Sequence, residues 1–155
     1  IVKEKVFNVA LGSKEDVVGM FISDREGGVS NGAGASSSIL APKKHLTEHP
    51  EVTFPSKESI NVKRFDKFVE ENKVETSEHN FLNIDVQGYE LEVLKGMGDE
   101  INKIQLVIAE VNRDEVYEGC PMIEDIDSYL EGFGFERLTV EWQSESWGDA
   151  LYVKR

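Results

Sequence analysis

The sequence predicts an α/β fold, and three observations predict it. Two apolar runs of strand length, FLNID (81–85) and IQLVIAEV (104–111), flank a segment of helical character. Strand, helix and strand then form one unit whose strands run parallel through a right-handed crossover. The second run is almost continuously apolar, as expected of a strand covered on both faces. Finally, FERLTVEW (135–142) and DALYVKR (149–155) flank QSESWG, the pattern of an antiparallel terminal hairpin.

The other elements follow in chain order. KVFNVAL (5–11) and VVGMFIS (17–23) are separated by the turn-rich GSKED, which predicts an antiparallel hairpin. DREGGVSNGAGASSS (24–38) is rich in Gly and Ser and carries no periodicity, so it reads as a long loop suited to a lid or binding role. Pro42, Pro50 and Pro55 punctuate an irregular connector that runs to Lys57. INVKRF (60–65) reads as a short strand, and Asp66 as the cap of the helix DKFVEENK, with Phe68 and Val69 turned inward. Gly96 and Gly98 stop the helix that follows FLNID. Pro121 opens a further helix with Ile123, Ile126, Tyr129 and Leu130 at helical spacing, ending at Gly132 or Gly134. At 155 residues the whole chain, 1–155, is expected to be one domain.

Composition narrows the function. Lys and Arg number 17 against 30 Asp and Glu, a formal charge of −13. Such a surface repels phosphate backbones and anionic lipid, so neither nucleic acid nor membrane is an expected partner. Cys120 is alone and forms no internal disulfide, and no apolar run approaches the roughly 20 residues of a membrane span. These features predict a soluble, cytoplasmic protein. The chain begins with Ile1 rather than Met, which suggests a trimmed or incomplete reading frame.

In an open α/β sheet, ligands bind at the carboxyl ends of the parallel strands, where helix N-termini point their N–H groups inward. Asp85 lies near one such end, and Glu110 and Asn112 near the next, so the three are expected to share a rim. Gly88 allows a tight turn and lets a ligand approach the backbone, with Gln87 and Tyr89 beside it. A purely structural account competes at every position. An aspartate at a strand end caps a following helix, and Glu90 in a first turn gains about 0.3 to 1 kcal/mol from the helix dipole alone. Asp85, Glu110 and Asn112 also form an oxygen-donor set for a divalent cation, although no metal is the leading expectation. His45 and His49 are bracketed by Pro42 and Pro50 and read as a surface loop pair, His79 as solvated linker, and Cys120 as a small packing residue. No G-x-S-x-G surrounds Ser36, Ser37 and Ser38, which argues against a serine hydrolase.

The run FLNIDVQGYELEVLKGM, followed by IQLVIAEVNRDEVYEGCPMIEDIDSYLEGFGF and WGDALYV, resembles the FkbM-type methyltransferases, marked by I-D-[VE]-[EQ]-G-x-E-x-x-V-L-x-G. NVALGS, SSSIL and NVKRFDKF fall upstream in the order that family shows. The resemblance implies a class I, Rossmann-like mixed sheet ordered 3-2-1-4-5-7-6, and S-adenosylmethionine-dependent transfer of a methyl group to oxygen of a small molecule or sugar. By that likeness KVFNVAL is the third strand, FLNIDV the fourth, IQLVIAEV the fifth and the closing hairpin the last two. Asp85 and Glu90 become the catalytic candidates and Asp85, Gln87 and Gly88 the cofactor-binding ones. Ser36, Ser37, Ser38, Tyr89, Glu110 and Asn112 become acceptor-binding candidates, with the His45–His49 segment and Trp147 as further contacts.

The family also has, before the position of Ile1, a first strand with a Gly-rich turn, a helix, and a second strand ending in an acid. None of these is present in the 155 residues, so the chain is expected to be the acceptor-side half and not to hold S-adenosylmethionine by itself. Without strands one and two, an apolar edge of FLNIDV is left open, to be filled by the amino-terminal hairpin or by a second copy in a homodimer. Two other classes stay open at this point: a non-catalytic binding module that kept the fold, and a divalent-metal hydrolase using Asp85, Glu110 and Asn112.

Overall fold

The structure, a computed structural model, describes residues 5–25 and 34–155. They form two mixed sheets. The larger holds β4 (Phe81–Ile84), β5 (Leu106–Asn112), β6 (Phe135–Trp142) and β7 (Trp147–Lys154) in the order β4-β5-β7-β6. β4 and β5 are parallel, with Phe81 opposite Leu106 and Ile84 opposite Ala109, while β7 runs antiparallel to both of its neighbours. The smaller sheet has the order β1-β3-β2, from β1 (Ala10–Leu11), β2 (Asp16–Arg25) and β3 (Val52–Lys63).

β5 is the centre of the core. Val107, Ala109 and Val111 are buried on it, and α3 (Glu90–Gly96) and α4 (Ile123–Glu131) contribute Val93, Leu94, Ile126 and Leu130 to the same cluster. The Ile123, Ile126 and Leu130 spacing read from sequence is thus the buried stripe of α4. α3 and α4 touch, and the Tyr129 hydroxyl donates to the Leu94 carbonyl at 3.2 Å. Between α3 and β5 the chain makes a 3-10 helix, Gly98–Lys103, which buries Ile101.

The amino-terminal half departs from expectation in four ways. KVFNVAL does not pair with VVGMFIS: β1 joins β3 in parallel, Ala10 opposite Val62, and β2 pairs antiparallel with β3 across the whole intervening connector. The connector is therefore not irregular as far as Lys57. Its second part is a strand that accommodates Pro55 beside a break in register between Ile22 and Asp24, where a missing N–H costs no ladder bond. The first part contains a one-turn helix, α1 (His45–Glu48). Of the long loop expected over 24–38, Asp24 and Arg25 extend β2, Ser38 bridges back to Phe21, and the remainder up to residue 33 lies outside the described residues.

Asp66 does not cap α2 (Phe65–Asn72). Arg64 occupies that position, and Asp66 in the first turn accepts from Arg64 Nε at 2.9 Å and from the Lys67 N–H at 2.7 Å. Nor does an amino-terminal hairpin fill the edge beside β4, because β1 is committed to β3. Among the described residues β4 pairs with β5 alone, and Phe81 at its start is 52% exposed. No helix among the described residues is long and apolar enough to cross a membrane.

The end of α3 lies directly on the turn after β1. A Cβ added at Gly96 would stand 2.1 Å from the Gly12 carbonyl oxygen, which is backbone and cannot turn aside. Gly96→Ala gains helix propensity worth up to about 1 kcal/mol but must push two elements apart, at a cost of about 1 to 3 kcal/mol. Urea unfolding is expected to show a net loss of about 1 to 2 kcal/mol, and an unchanged midpoint would contradict this packing.

Candidate active site

The residues of the site come from the turn between β4 and α3, from the end of β5, and from the loop that follows it. After Ile84 the chain turns sharply: Gln87 sits at φ 56° and Gly88 at φ 93°, both in the left-handed region. Glu90, fully buried at the start of α3, holds this turn. One of its carboxylate oxygens accepts the N–H of Val86 at 3.1 Å and of Gly88 at 3.0 Å, while Oε2 meets no hydrogen-bond partner among the described residues. Gly88 does make the turn, but the space beside it belongs to the protein. A Cβ there would meet Cys120 Cβ at 3.1 Å and the Tyr117 side chain at 3.2 Å, so a side chain at this position would crowd the 117–120 loop.

Gln87 links the components. Its Nε2 donates to Asp85 Oδ1 at 2.5 Å and lies 3.3 Å from Glu110 Oε2, and its Oε1 accepts from the Tyr117 hydroxyl at 2.8 Å. The Ser38 hydroxyl donates to the Gln87 carbonyl at 2.6 Å, and the Tyr117 hydroxyl also lies 3.1 Å from the Ser36 carbonyl. An amide can face two carboxylates with its N–H groups and a phenol with its oxygen only in this orientation. A left-handed residue that is not glycine costs of order 1 kcal/mol, and these bonds offset it.

Three carboxylates, from Asp85, Glu90 and Glu110, place oxygens within 4.8 Å of one another. Like charges at that separation, with two of the groups buried, favour the neutral acids. Burial, opposed by its two N–H bonds, pushes Glu90 up to about 7. Burial together with the Glu90 and Asp85 charges pushes Glu110 up to about 9, so at neutral pH Glu110 carries its proton. Tyr117 is raised as well, by burial and then by the same acids, and stays a phenol.

Two cavities meet at this cluster. One, of about 590 Å³, is lined by apolar and neutral residues from β1, β2, β3 and the turn, including Asn8, Met20, Ser37, Tyr89 and Val93; among the described residues Asp85 is the one charged residue in its wall. The other, of about 250 Å³, is lined by Arg25, His45, His49, Glu110, Tyr117 and Trp147 among others. Asp85 and Gln87 stand in both walls.

The expected residues are thus only partly brought together. Asp85, Gln87 and Glu110 converge, Ser37 and Tyr89 line the larger cavity, and Ser36 lines the smaller. Ser38 and Glu90 line neither and act on the turn. Asn112 does not reach the common rim: it is fully buried where β5 bridges to Met122 and pairs with Trp147, with both amide atoms unpartnered among the described residues. A divalent cation at the rim would accordingly draw on Asp85, Glu90 and Glu110, not on the set that included Asn112.

Two residues of the site were missed or misread. Tyr117 lies in an acidic loop after a strand carboxyl end, where a lone aromatic residue is the available signal. His45 is not a surface group; it is 4% exposed, packed against His49, Phe54 and Tyr117.

The chain belongs to the FkbM methyltransferase family: the Methyltransferase FkbM domain matches it over residues 2–137. It is also similar to the 2-O-methyltransferase NoeI of Sinorhizobium fredii, 34% identical over 140 residues, which is 84% of this chain and 56% of that protein. The chain thus spans about half the length of this curated relative. No solved structure matches it.

Glu110 ionises near 4.5 in an unfolded chain and near 9 here, so the native state binds a proton that the unfolded chain has already lost. That contribution to stability is fully present below about pH 4.5 and is lost as pH rises toward 9. Glu110→Gln keeps an acceptor for Gln87 and abolishes the titration. Thermal unfolding is expected to show little difference from the parent near pH 4.5 and a higher Tm for the variant at pH 8; a difference independent of pH would contradict the assignment.

Proposed function

We propose that this chain carries the methyl-transfer centre of an S-adenosylmethionine-dependent O-methyltransferase acting on a hydroxyl of a small molecule or sugar. The observation that supports this most is the shared wall: a large cavity in which, among the described residues, Asp85 is the one acidic or basic side chain meets a smaller polar one at Asp85 and Gln87. The sheet order β4-β5-β7-β6, with β7 antiparallel, is the order a class I methyltransferase has in the second half of its sheet, and it agrees with this reading. NoeI, by its name a 2-O-methyltransferase, points the same way.

The donor chemistry fits the residues present. A sulfonium is a cation with an apolar skirt, and the larger cavity offers it Asp85 among Val86, Val93, Leu11 and Ile60. When bound, the sulfonium supplies a methyl group already activated toward displacement, its bonding pair leaving with sulfur. The protein is left with positioning and with removal of the acceptor proton. Asp85 holds the cationic end against the wall, Gln87 fixes the Asp85 carboxylate, and Glu90 keeps the turn that carries both. Glu110, protonated at neutral pH, lines the smaller cavity and adds no further charge to it.

A carboxylate that recognises a sulfonium by its charge gains little from the neutral thioether. In the full-length gene product, Asp85→Asn is expected to weaken S-adenosylmethionine about tenfold while leaving S-adenosylhomocysteine within about twofold, read by calorimetry. Turnover should fall about 10²- to 10³-fold with an unchanged far-UV spectrum. Equal loss for both ligands would remove Asp85 from the donor site. Failure of the parent protein to bind either ligand would favour a binding module that kept the fold.

A further inference from the structure

The smaller cavity holds a group that positioning and charge alone leave without a role. His45 is 96% covered, and its Nδ1 meets no hydrogen-bond partner among the described residues. The ring nevertheless lines the smaller cavity, so a hydroxyl seated there lies beside the imidazole. The ring is not free to seek a partner elsewhere. His49, Phe54 and Tyr117 pack around it at centroid distances of 5.0, 5.4 and 5.4 Å. Its main-chain N–H is bonded to the Val116 carbonyl, and α1 is fastened at both sides: Lys44 to Asp114, and Glu48 to the Ser146 hydroxyl in the β6–β7 turn.

The wall opposite suits a neutral polyol. Trp147 offers an aromatic surface to ring C–H groups, while Gln87 and Glu110 offer hydrogen bonds. Arg25, the cationic side chain of the lining, is already paired with Glu51 at 2.8 Å, and Asp85 and Glu110 stand nearby, so an anionic acceptor is disfavoured. A volume of about 250 Å³ accommodates one six-membered sugar ring and little more.

Resting on the methyl-transfer reading above, we propose that this cavity seats a single pyranose ring of the acceptor and that His45 takes the proton from the hydroxyl being methylated. The acceptor O–H bond breaks toward the unprotonated ring nitrogen, and the imidazole becomes an imidazolium. The oxygen pair so released forms the bond to the methyl carbon, and the pair of the old S–C bond departs with sulfur. The positive charge lost from the sulfonium therefore reappears on His45. Glu48, on its own helix, and Glu51, before β3, favour that charge, while His49 opposes it and Glu110 and Tyr117 are uncharged at pH 7. Burial and His49 together hold the ring below the ordinary histidine value, so a neutral base is on hand at physiological pH.

The test uses the full-length gene product and a set of methyl hexopyranosides as probes. Binding is followed by the His45 imidazole signals and by Trp147 fluorescence, methylation by transfer of labelled methyl from S-adenosylmethionine. We expect a glycoside to shift the His45 signals. His45→Ala should cut kcat about 10²- to 10³-fold without changing donor affinity, and added imidazole should restore part of the rate. His45→Gln, which fills the site without a base, should stay slow, with a residual rate that climbs with pH where the parent is level. A parent that methylates glycosides while both variants remain within threefold would overturn the base role. Donor binding with no glycoside perturbing His45 or Trp147 would overturn the acceptor assignment. Glycoside binding without donor binding would overturn the methyl-transfer reading, and the base role with it.

Discussion

Because Ile84 pairs with Ala109 where β4 meets β5, the next residue of each strand, Asp85 and Glu110, is carried to the same rim. The remaining features of the site are consequences of accommodating those two carboxylates. Gln87 turns into the left-handed region so that one amide can face both, Tyr117 closes on the far side of that amide, and Gly88 yields its side-chain space to the loop that brings Tyr117. Glu90 adds a third carboxylate, yet its first effect is mechanical, since its oxygen gathers two N–H groups that the turn leaves unpaired.

The electrostatics follow from that geometry. Three acids in a partly dry place cannot all be charged, and burial decides which gives way: Glu110 keeps its proton, while Asp85 faces both cavities. A negative wall beside an apolar chamber favours a cationic ligand on one side, and a buried imidazole with an unused nitrogen favours a hydroxyl on the other. A protein of formal charge −13 thus has an acidic centre for a local reason, the register of two strands, and not merely because acids are abundant.

What could be read from the letters were the elements whose signal is local. The apolar β5, the DVQGYE turn, the α4 stripe and the β6–β7 hairpin each carry their periodicity within a dozen residues, and each is where it was expected. The pairing of β2 with β3 was not legible, because the partners lie on either side of the whole 26–51 connector and Pro55 argues locally against a strand. β1 went to β3 for the same reason: a two-residue strand has no pattern of its own and takes the edge that the tertiary structure offers. At the site, Asp85, Gln87 and Glu110 were found through the strand-end rule. His45 was hidden because its burial comes from the 114–118 segment, which hydrogen-bonds to residues 41–45 from some 70 positions away. Asn112 shows the converse, a strand-end polar residue that satisfied the rule and was then roofed over by Met122.

The central claim is that donor and acceptor approach the Asp85–Gln87 wall from opposite cavities. It is tested most directly by a crystal structure of the full-length gene product with S-adenosylhomocysteine. The account predicts its sulfur in the larger cavity, against the Asp85 carboxylate, with the path toward His45 open. A sulfur bound away from the β4–β5 rim, or with Asp85 turned from it, would contradict the account.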